Sequence, residues 1–295
     1  MPDLRQLQMP KRAARPFSKP SATLLLASIL ALAGCGDSQP SASTGREIGL
    51  YTSLPIVWGE SGDIRELLEK ERPRHWALAV LSAAGTLHPL DTLTDRLPRD
   101  ALLVLAQPRA LSPQENVALD RWVREGGRVL LFADPLLTAP TRYALGDPRR
   151  PQDTVLLSPI LARWGLRLEF DEAQPAGERM VGTALGTIPV NLAGRFRLSG
   201  NSGESASSPE FSGKHGTDGD RGGDPGKSGI VGMVGDAPGR CHLEAKGLLA
   251  RCVVEKGRIF AISDAAVLEE SDDPAALALR RKVLSALIGW TETGD

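Results

Sequence analysis

The fold is decided by residues 101–135, ALLVLAQPRALSPQENVALDRWVREGGRVLLFADP. The stretch begins and ends with apolar runs, 101–106 and 128–133, of the length that a fully buried strand takes. Between them, Ser112-Pro113-Gln114-Glu115 predicts a helix that starts with a capping box, and Gly126-Gly127 predicts its end. A strand, a capped helix and a second strand within so short a span indicate a βαβ unit with two parallel strands.

The same alternation extends along the chain in both directions. Further strands are predicted at 47–51, 76–81, 166–170 and 257–263, helices at 59–70, 157–165 and from Pro274 onward, and extended segments within 181–198. The predicted fold class is therefore α/β: an open, mostly parallel sheet with helices on both faces, flavodoxin-like, with an added β-hairpin.

The amino terminus has the features of a bacterial lipoprotein signal. A basic segment precedes a short apolar run that ends in Leu32-Ala33-Gly34-Cys35. Small residues before a cysteine suit the signal peptidase that processes lipoproteins, and the thiol accepts the diacylglyceryl chain. We predict a signal peptide over 1–34, lipidation of Cys35 and a polar tether over 35–46. An ordinary signal peptide followed by an incidental cysteine is the alternative.

The predicted location is the cell envelope, with the chain lipid-anchored and facing the periplasm. Gly36 after Cys35 favours the outer membrane in many bacteria, whereas a transporter partner would favour the inner one, so both destinations stay open. The chain carries a net charge of −1 and no basic stretch typical of a phosphate-tracking surface, so nucleic acid is not an expected partner.

Two further cysteines bracket RCHLEAKGLLARC, a predicted hairpin that turns at Lys246-Gly247. Pairing outward from that turn places Cys241 opposite Cys252, as a hydrogen-bonded pair with Cα atoms about 5.5 Å apart. An exported protein meets an oxidising compartment, so we predict a disulfide, with free thiols or a metal pair as alternatives.

Residues 199–228 interrupt the pattern with eight glycines and seven serines. Such a segment buries too little apolar surface to offset its ordering entropy, so we predict a disordered insert in a single domain formed by 47–198 and 229–293. Its GDPGKS sequence lacks the first glycine and the preceding strand of a phosphate-binding loop, and its aspartates lack the spacing of a calcium loop. We therefore predict no cofactor there.

No metal site is predicted elsewhere, because the histidines lack zinc-ligand spacing. One pair of residues still suggests catalysis: His242 and Glu244 lie two positions apart on a predicted strand and so share a face. A histidine oriented by a carboxylate is part of a nucleophile–base system. The alternative is a polar, solvent-facing strand surface.

The βαβ unit, the strand leading into Asp134, LSPILARWGLRL at 157–168 and KGRIFAISDAAVL at 256–268 resemble a glutamine-amidotransferase-like domain. The closest resemblance is to its non-catalytic, exported branch, which accompanies ABC-type transport systems and gliding machinery. Catalytic members hold a cysteine at a tight strand-to-helix turn, followed later by His-x-Glu. Here the matching strand end is Ala133-Asp134-Pro135, with no Cys, Ser or Thr within three residues of Asp134.

Asp134 and Asp264 each follow a predicted strand, and ligands of open parallel sheets gather at that edge. If the two aspartates line a binding crevice, Gln107 and the loop ending in Trp58 would line the same edge, so Trp58, Gln107, Asp134 and Asp264 are the candidate binding residues. The other interpretation is that each aspartate caps the following turn through its own side chain, and both interpretations stay open.

These features predict a non-catalytic, membrane-tethered periplasmic binding or scaffolding module, accessory to an ABC-type transport or envelope complex. A hydrolase or transferase that uses His242 and Glu244 is the alternative.

Overall fold

The computed structural model describes residues 45–60, 74–95, 98–199 and 239–293. All of them fall in one compact unit, 43–295. The predicted signal peptide and Cys35, the tether up to residue 44, the predicted helix beyond residue 60 and the insert from 200 to 228 lie outside the described residues.

Eleven strands and four helices are formed by the described residues. The strands are β1 (Glu47–Thr52), β2 (Thr86–Pro89), β3 (Leu102–Ala106), β4 (Arg128–Phe132), β5 (Leu166–Glu169), β6 (Arg179–Thr183), β7 (Gly186–Val190), β8 (Arg195–Leu198), β9 (Arg240–Glu244), β10 (Leu249–Val254) and β11 (Gly257–Ile262). The helices are α1 (Trp76–Ala84), α2 (Pro113–Arg124), α3 (Ser158–Arg163) and α4 (Pro274–Thr293).

Seven strands form the main sheet in the order β2-β1-β3-β4-β11-β10-β9. The first five run parallel, and β10 and β9 continue the sheet as an antiparallel hairpin. Two small antiparallel sheets, β5-β8 and β6-β7, complete the fold. The predicted α/β class, with a mostly parallel sheet and an added hairpin, is confirmed.

The βαβ unit forms where its local sequence predicts it. β3 is buried along its whole length, as expected for a central strand covered on both faces. The Ser112 hydroxyl accepts a hydrogen bond from the Glu115 N–H at 3.2 Å, and the Glu115 carboxylate accepts one from the Ser112 N–H at 2.9 Å. Gly126, with φ of +121°, lets the chain leave the helix, because left-handed backbone costs glycine little.

Helices cover both faces of the sheet, since alternate strand residues point to opposite sides. Leu102, Val104 and Leu130 pack with α1 and α4 in one core, whereas Leu103 and Leu105 pack with α2 and α3 in the other.

The prediction of a strand at residues 76–81 is wrong. These residues form α1, whose first turn is capped by the His75 Nδ1, which accepts a hydrogen bond from the Ala77 N–H at 3.2 Å. The edge strand is instead β2, a mostly exposed segment that pairs with β1. A short apolar run suits a buried strand and a buried helical turn equally, and only packing against α4 and the sheet distinguishes the two.

The Cys241–Cys252 disulfide is present, and the strand register places these residues opposite each other, as predicted. The Cα separation is 4.0 Å, shorter than the hydrogen-bonded spacing that we predicted. The turn is centred on Lys246-Gly247, as predicted: the Leu248 N–H donates to the Ala245 carbonyl oxygen at 3.2 Å, within a short 3-10 segment at Ala245–Gly247.

Candidate functional site

Three polar side chains meet where neighbouring strands end. Gln107 follows β3, Asp134 lies just past β4, and Asp264 lies just past β11. All three have no solvent exposure. We call Gln107, Asp134 and Asp264 the edge network.

Asp134 bonds to backbone with both carboxylate oxygens. Oδ1 accepts from the Leu136 N–H at 2.9 Å, and Oδ2 accepts from the Ala265 N–H at 3.1 Å. The first bond shapes the turn after β4, and the second joins that turn to the segment after β11. Burial raises the pKa of Asp134 to about 6, although both N–H groups favour the ionised form.

Asp264 also accepts backbone hydrogen bonds with both of its carboxylate oxygens. Its Oδ1 accepts from the Ala266 N–H at 2.6 Å, and its Oδ2 accepts from the Asn191 N–H at 2.8 Å. Burial, reinforced by the nearby Asp134 charge, raises the pKa of Asp264 well above its usual range. Two carboxyl groups that share a buried site disfavour simultaneous ionisation.

The Gln107 carboxamide bridges the strand ends. Its oxygen accepts from the Asp134 N–H at 2.9 Å, and its nitrogen donates to the carbonyl oxygens of Asp134 at 3.0 Å and Gln152 at 2.8 Å. The backbone of Gln107 is left-handed, with φ of +44°. Ser53 adds a bond from its hydroxyl to the Gln107 carbonyl oxygen at 2.5 Å.

The edge network therefore fastens two loops over the carboxyl edge of the sheet, one through Gln152 and one through Asn191. The structure brings Gln107, Asp134 and Asp264 together, as the sequence predicts. In this conformation their bonding capacity is directed to backbone groups rather than to an open crevice.

Trp58 lies apart from this network. Its side chain is 78% exposed, whereas Leu54 and Ile56 in the same loop are buried. The apolar segment thus divides into a part that joins the core and an aromatic ring that faces solvent.

His242 and Glu244 lie on β9, at the edge of the sheet. Glu244 is ion-paired with Arg251 at 2.8 Å, and His242 is exposed. β9 is three strand positions from β4, which corresponds to about 14 Å at the usual strand spacing. The pair is therefore not brought to the strand end that carries Asp134.

A pocket of about 380 Å³ that sequence reasoning missed adjoins the edge network. It is lined by the cationic side chains of Arg179, Arg195 and Lys246, together with Val190, Ala193 and Leu248. We call it the basic pocket. Its wall at 190–195 also covers the edge network, because the Gly194 N–H donates to the Ser263 carbonyl oxygen at 2.7 Å.

Within the described ranges, no group of three or more His, Cys, Asp or Glu side chains is placed to hold a metal ion. No helix in the same ranges combines the length and apolarity that a bilayer crossing requires.

Solved structures similar to this chain include an exo-beta-1,4-mannosidase from Opitutaceae bacterium strain TAV5, at 13% identity and a TM-score of 0.42. Another is a beta-galactosidase from Bacillus circulans sp. alkalophilus, at 9% identity and a TM-score of 0.39. Each match covers 86% of this chain, but the chain spans only 36% and 32% of the length of the two enzymes.

No curated protein matches the sequence. The family profile DUF4350, described as a domain of unknown function, matches residues 77–270, which is most of the chain. The chain therefore belongs to the DUF4350 family.

Proposed function

We propose that this chain is a non-catalytic, membrane-tethered periplasmic module that binds or scaffolds partners, accessory to an ABC-type transport or envelope complex. The observation that carries the proposal is the state of Asp134. It stands where the amidotransferase-like enzymes, which the sequence resembles, hold their nucleophile. It is fully buried, and both of its oxygens are bonded to backbone N–H groups.

The chemistry of that position supports a non-catalytic role. A nucleophile must reach its substrate, and Asp134 has no exposed surface. Attack by a carboxylate on a carboxamide would also produce an anhydride, a poor intermediate for hydrolysis. The residues from Leu131 to Leu137 include no Cys, Ser or Thr that would take its place.

The alternative, a hydrolase or transferase that uses His242 and Glu244, has less support. Glu244 already pairs with Arg251, so its carboxylate is not free to orient the His242 imidazole. Within β9 itself, the one thiol, that of Cys241, is held in the disulfide with Cys252.

The proposed tether rests on the sequence around Cys35. The Cys241–Cys252 bridge agrees with it, because disulfides persist in oxidising compartments such as the periplasm. The proposed contact with a partner rests on Trp58, since large exposed aromatic rings are typical of protein interfaces.

Site-specific photocrosslinking in intact cells tests this function. A photoreactive residue at position 58 of the lipid-anchored chain is expected to trap one membrane-complex subunit. Position 117 is the matched control, because Val117 is a similarly exposed apolar side chain, at 65%, on α2. A Cys35→Ser chain is expected to lose both the lipid and the crosslink.

Two results would count against the proposal. One is an identical set of products from positions 58 and 117. The other is glutamine or ester hydrolysis by the purified chain that disappears in His242→Ala.

A further inference from the structure

We propose that the basic pocket binds a small organic oxyanion, a carboxylate or a phosphate ester carried on a compact apolar body. The inference concerns a site that the proposed function does not use. It depends neither on the membrane tether nor on the partner complex, and its failure would leave both of those proposals standing.

The charge balance of the pocket points to an anion. Among the described residues, three cationic side chains line it, those of Arg179, Arg195 and Lys246, against one acidic side chain, that of Asp171. One Asp171 oxygen already accepts from the Ala173 N–H at 3.0 Å. The three cations come from separate segments, β6, β8 and the β9–β10 turn, so the tertiary fold concentrates them.

The cations of the pocket have unused bonding capacity. Among the described residues, neither Arg195 nor Lys246 has an ion pair or a side-chain hydrogen bond. Arg197, two residues along the same strand, is paired with Glu169 at 3.1 Å. An unpaired guanidinium in a concave site is suited to a planar carboxylate or a phosphate, which its fork of donors binds in a bidentate manner.

Arg179 is positioned but incompletely bonded. Its Nη2 donates to the Gln174 Oε1 at 2.9 Å, while the Gln174 nitrogen donates to the Ala193 carbonyl oxygen at 2.9 Å. Gln174 therefore holds the guanidinium against the opposite wall of the pocket. The Arg179 Nη1 is buried and has no hydrogen-bond partner among the described residues. A buried donor without an acceptor is costly, and a bound oxyanion would supply that acceptor.

The backbone around the pocket is strained at three residues. Leu192, Ala245 and Lys246 have φ values of +55°, +47° and +58°, which are unfavourable for residues with a Cβ. Such strain persists where the surrounding structure holds it, and it concentrates at binding sites.

The strained turn lies directly against Arg195. A Cβ added at Gly247 would approach the Arg195 Cγ to 2.8 Å and the Phe196 carbonyl oxygen to 2.5 Å. The turn thus sets Lys246 and Arg195 beside each other before any ligand arrives, and preorganisation lowers the cost of binding.

The apolar lining and the volume of the basic pocket indicate what the uncharged part of the ligand is like. Val181, Val190 and Leu248 supply an apolar surface next to the cations. A cavity of about 380 Å³ lies within the range of small-molecule sites, roughly 300–1,000 Å³. The site therefore suits a molecule with one anionic group and a compact apolar portion.

Calorimetric titration of the purified full-length processed chain in detergent, at low salt, tests the site. The probes are phenyl phosphate, benzoate and benzyl alcohol, which share an aromatic body and differ in the charged group. We expect at least one of the two anions to bind at least about tenfold more tightly than the neutral alcohol, since hydrogen bonds to a charged group are stronger than those between neutral groups. The stronger anion identifies a phosphate or a carboxylate as the preferred group.

Substitutions of the lining arginines test whether the anion binds in the basic pocket. Arg195→Gln and Arg179→Gln are each expected to weaken the preferred anion about tenfold. Arg197→Gln is the matched control, because this arginine shares β8 but does not line the pocket, and its affinity should equal that of the wild type. Thermal melts of each variant verify folding, and Arg195→Lys should restore part of the affinity.

The inference is overturned if benzyl alcohol binds as tightly as both anions. It is equally overturned if neither anion binds, or if folded Arg195→Gln binds the preferred anion as the wild type does.

Discussion

The edge network and the basic pocket share the segment 190–195, and they differ in where their polar groups find partners. In the edge network, each of Gln107, Asp134 and Asp264 is fully buried and bonded to backbone groups of the protein. In the basic pocket, Arg195 and Lys246 are accessible and lack partners among the described residues. The polar groups of the edge network therefore stabilise the fold, whereas the cationic groups of the basic pocket are left to bind a ligand.

This difference bears on how strand-end aspartates are interpreted. Asp134 and Asp264 lie where ligands of parallel sheets usually bind, yet their oxygens already accept backbone N–H groups. A position at the carboxyl edge is therefore weaker evidence for binding than unused hydrogen-bonding capacity.

The largest expected effect is on the edge network. Gln107→Ala removes three hydrogen bonds and leaves the buried Asp134 N–H and the part-buried Gln152 carbonyl oxygen without partners, whereas the Asp134 carbonyl oxygen keeps its bond from the Val155 N–H. We expect it to lower the free energy of unfolding by about 3–4 kcal/mol, because each unsatisfied buried group costs about 1–3 kcal/mol. Urea denaturation measures the loss. Gln114→Ala, at an exposed position on α2, is the control and should change little; equal stability of the two variants would contradict a structural role for the network.

The next effect is a pH dependence that arises from Asp134. Its folded pKa of about 6 lies above the usual 3.8, so its contribution to stability is full below pH 3.8 and is lost as the pH rises through about 6. The loss amounts to about 2–3 kcal/mol, at about 1.4 kcal/mol per pKa unit. Burial lowers the pKa of His75, which produces the opposite trend. The informative quantity is therefore the difference in unfolding free energy between the wild type and Asp134→Asn at each pH.

We expect this difference to favour Asp134→Asn increasingly between pH 5 and 7.5. Asp147→Asn is the control, because hydrogen bonds from Arg149 lower the pKa of Asp147 to about 2, outside that range. A difference that does not vary with pH would show that Asp134 does not take up a proton on folding.

The smallest effect on stability is expected in the basic pocket. Arg195→Gln removes a charge that has no partner among the described residues, so the free energy of unfolding should change by less than about 0.5 kcal/mol. Thermal and urea denaturation check this value. A decrease of more than about 2 kcal/mol in the free energy of unfolding would show that Arg195 stabilises the fold, as the edge network does.

The central architecture was predictable from local sequence. The uniformly apolar runs at 101–106 and 128–133, the capping box at Ser112 and the glycines at 126–127 each direct a local conformation, and they agree with one another. The Cys241–Cys252 pairing was predictable as well, because the register of a hairpin follows from its turn. By contrast, residues 76–81 could be assigned only from their packing.

By itself, the sequence determined the α/β class, the βαβ unit, the disulfide pair and the presence of polar residues at the strand ends. Only the tertiary structure decided what those polar residues do, because the N–H groups that Asp134 and Asp264 bind belong partly to distant segments, Ala265 and Asn191. Likewise, it alone assembled Arg179, Arg195 and Lys246 into one pocket. Leu192, Ala245 and Lys246 beside this pocket have left-handed backbone, a conformation that their residue types do not predict and that the surrounding packing must stabilise.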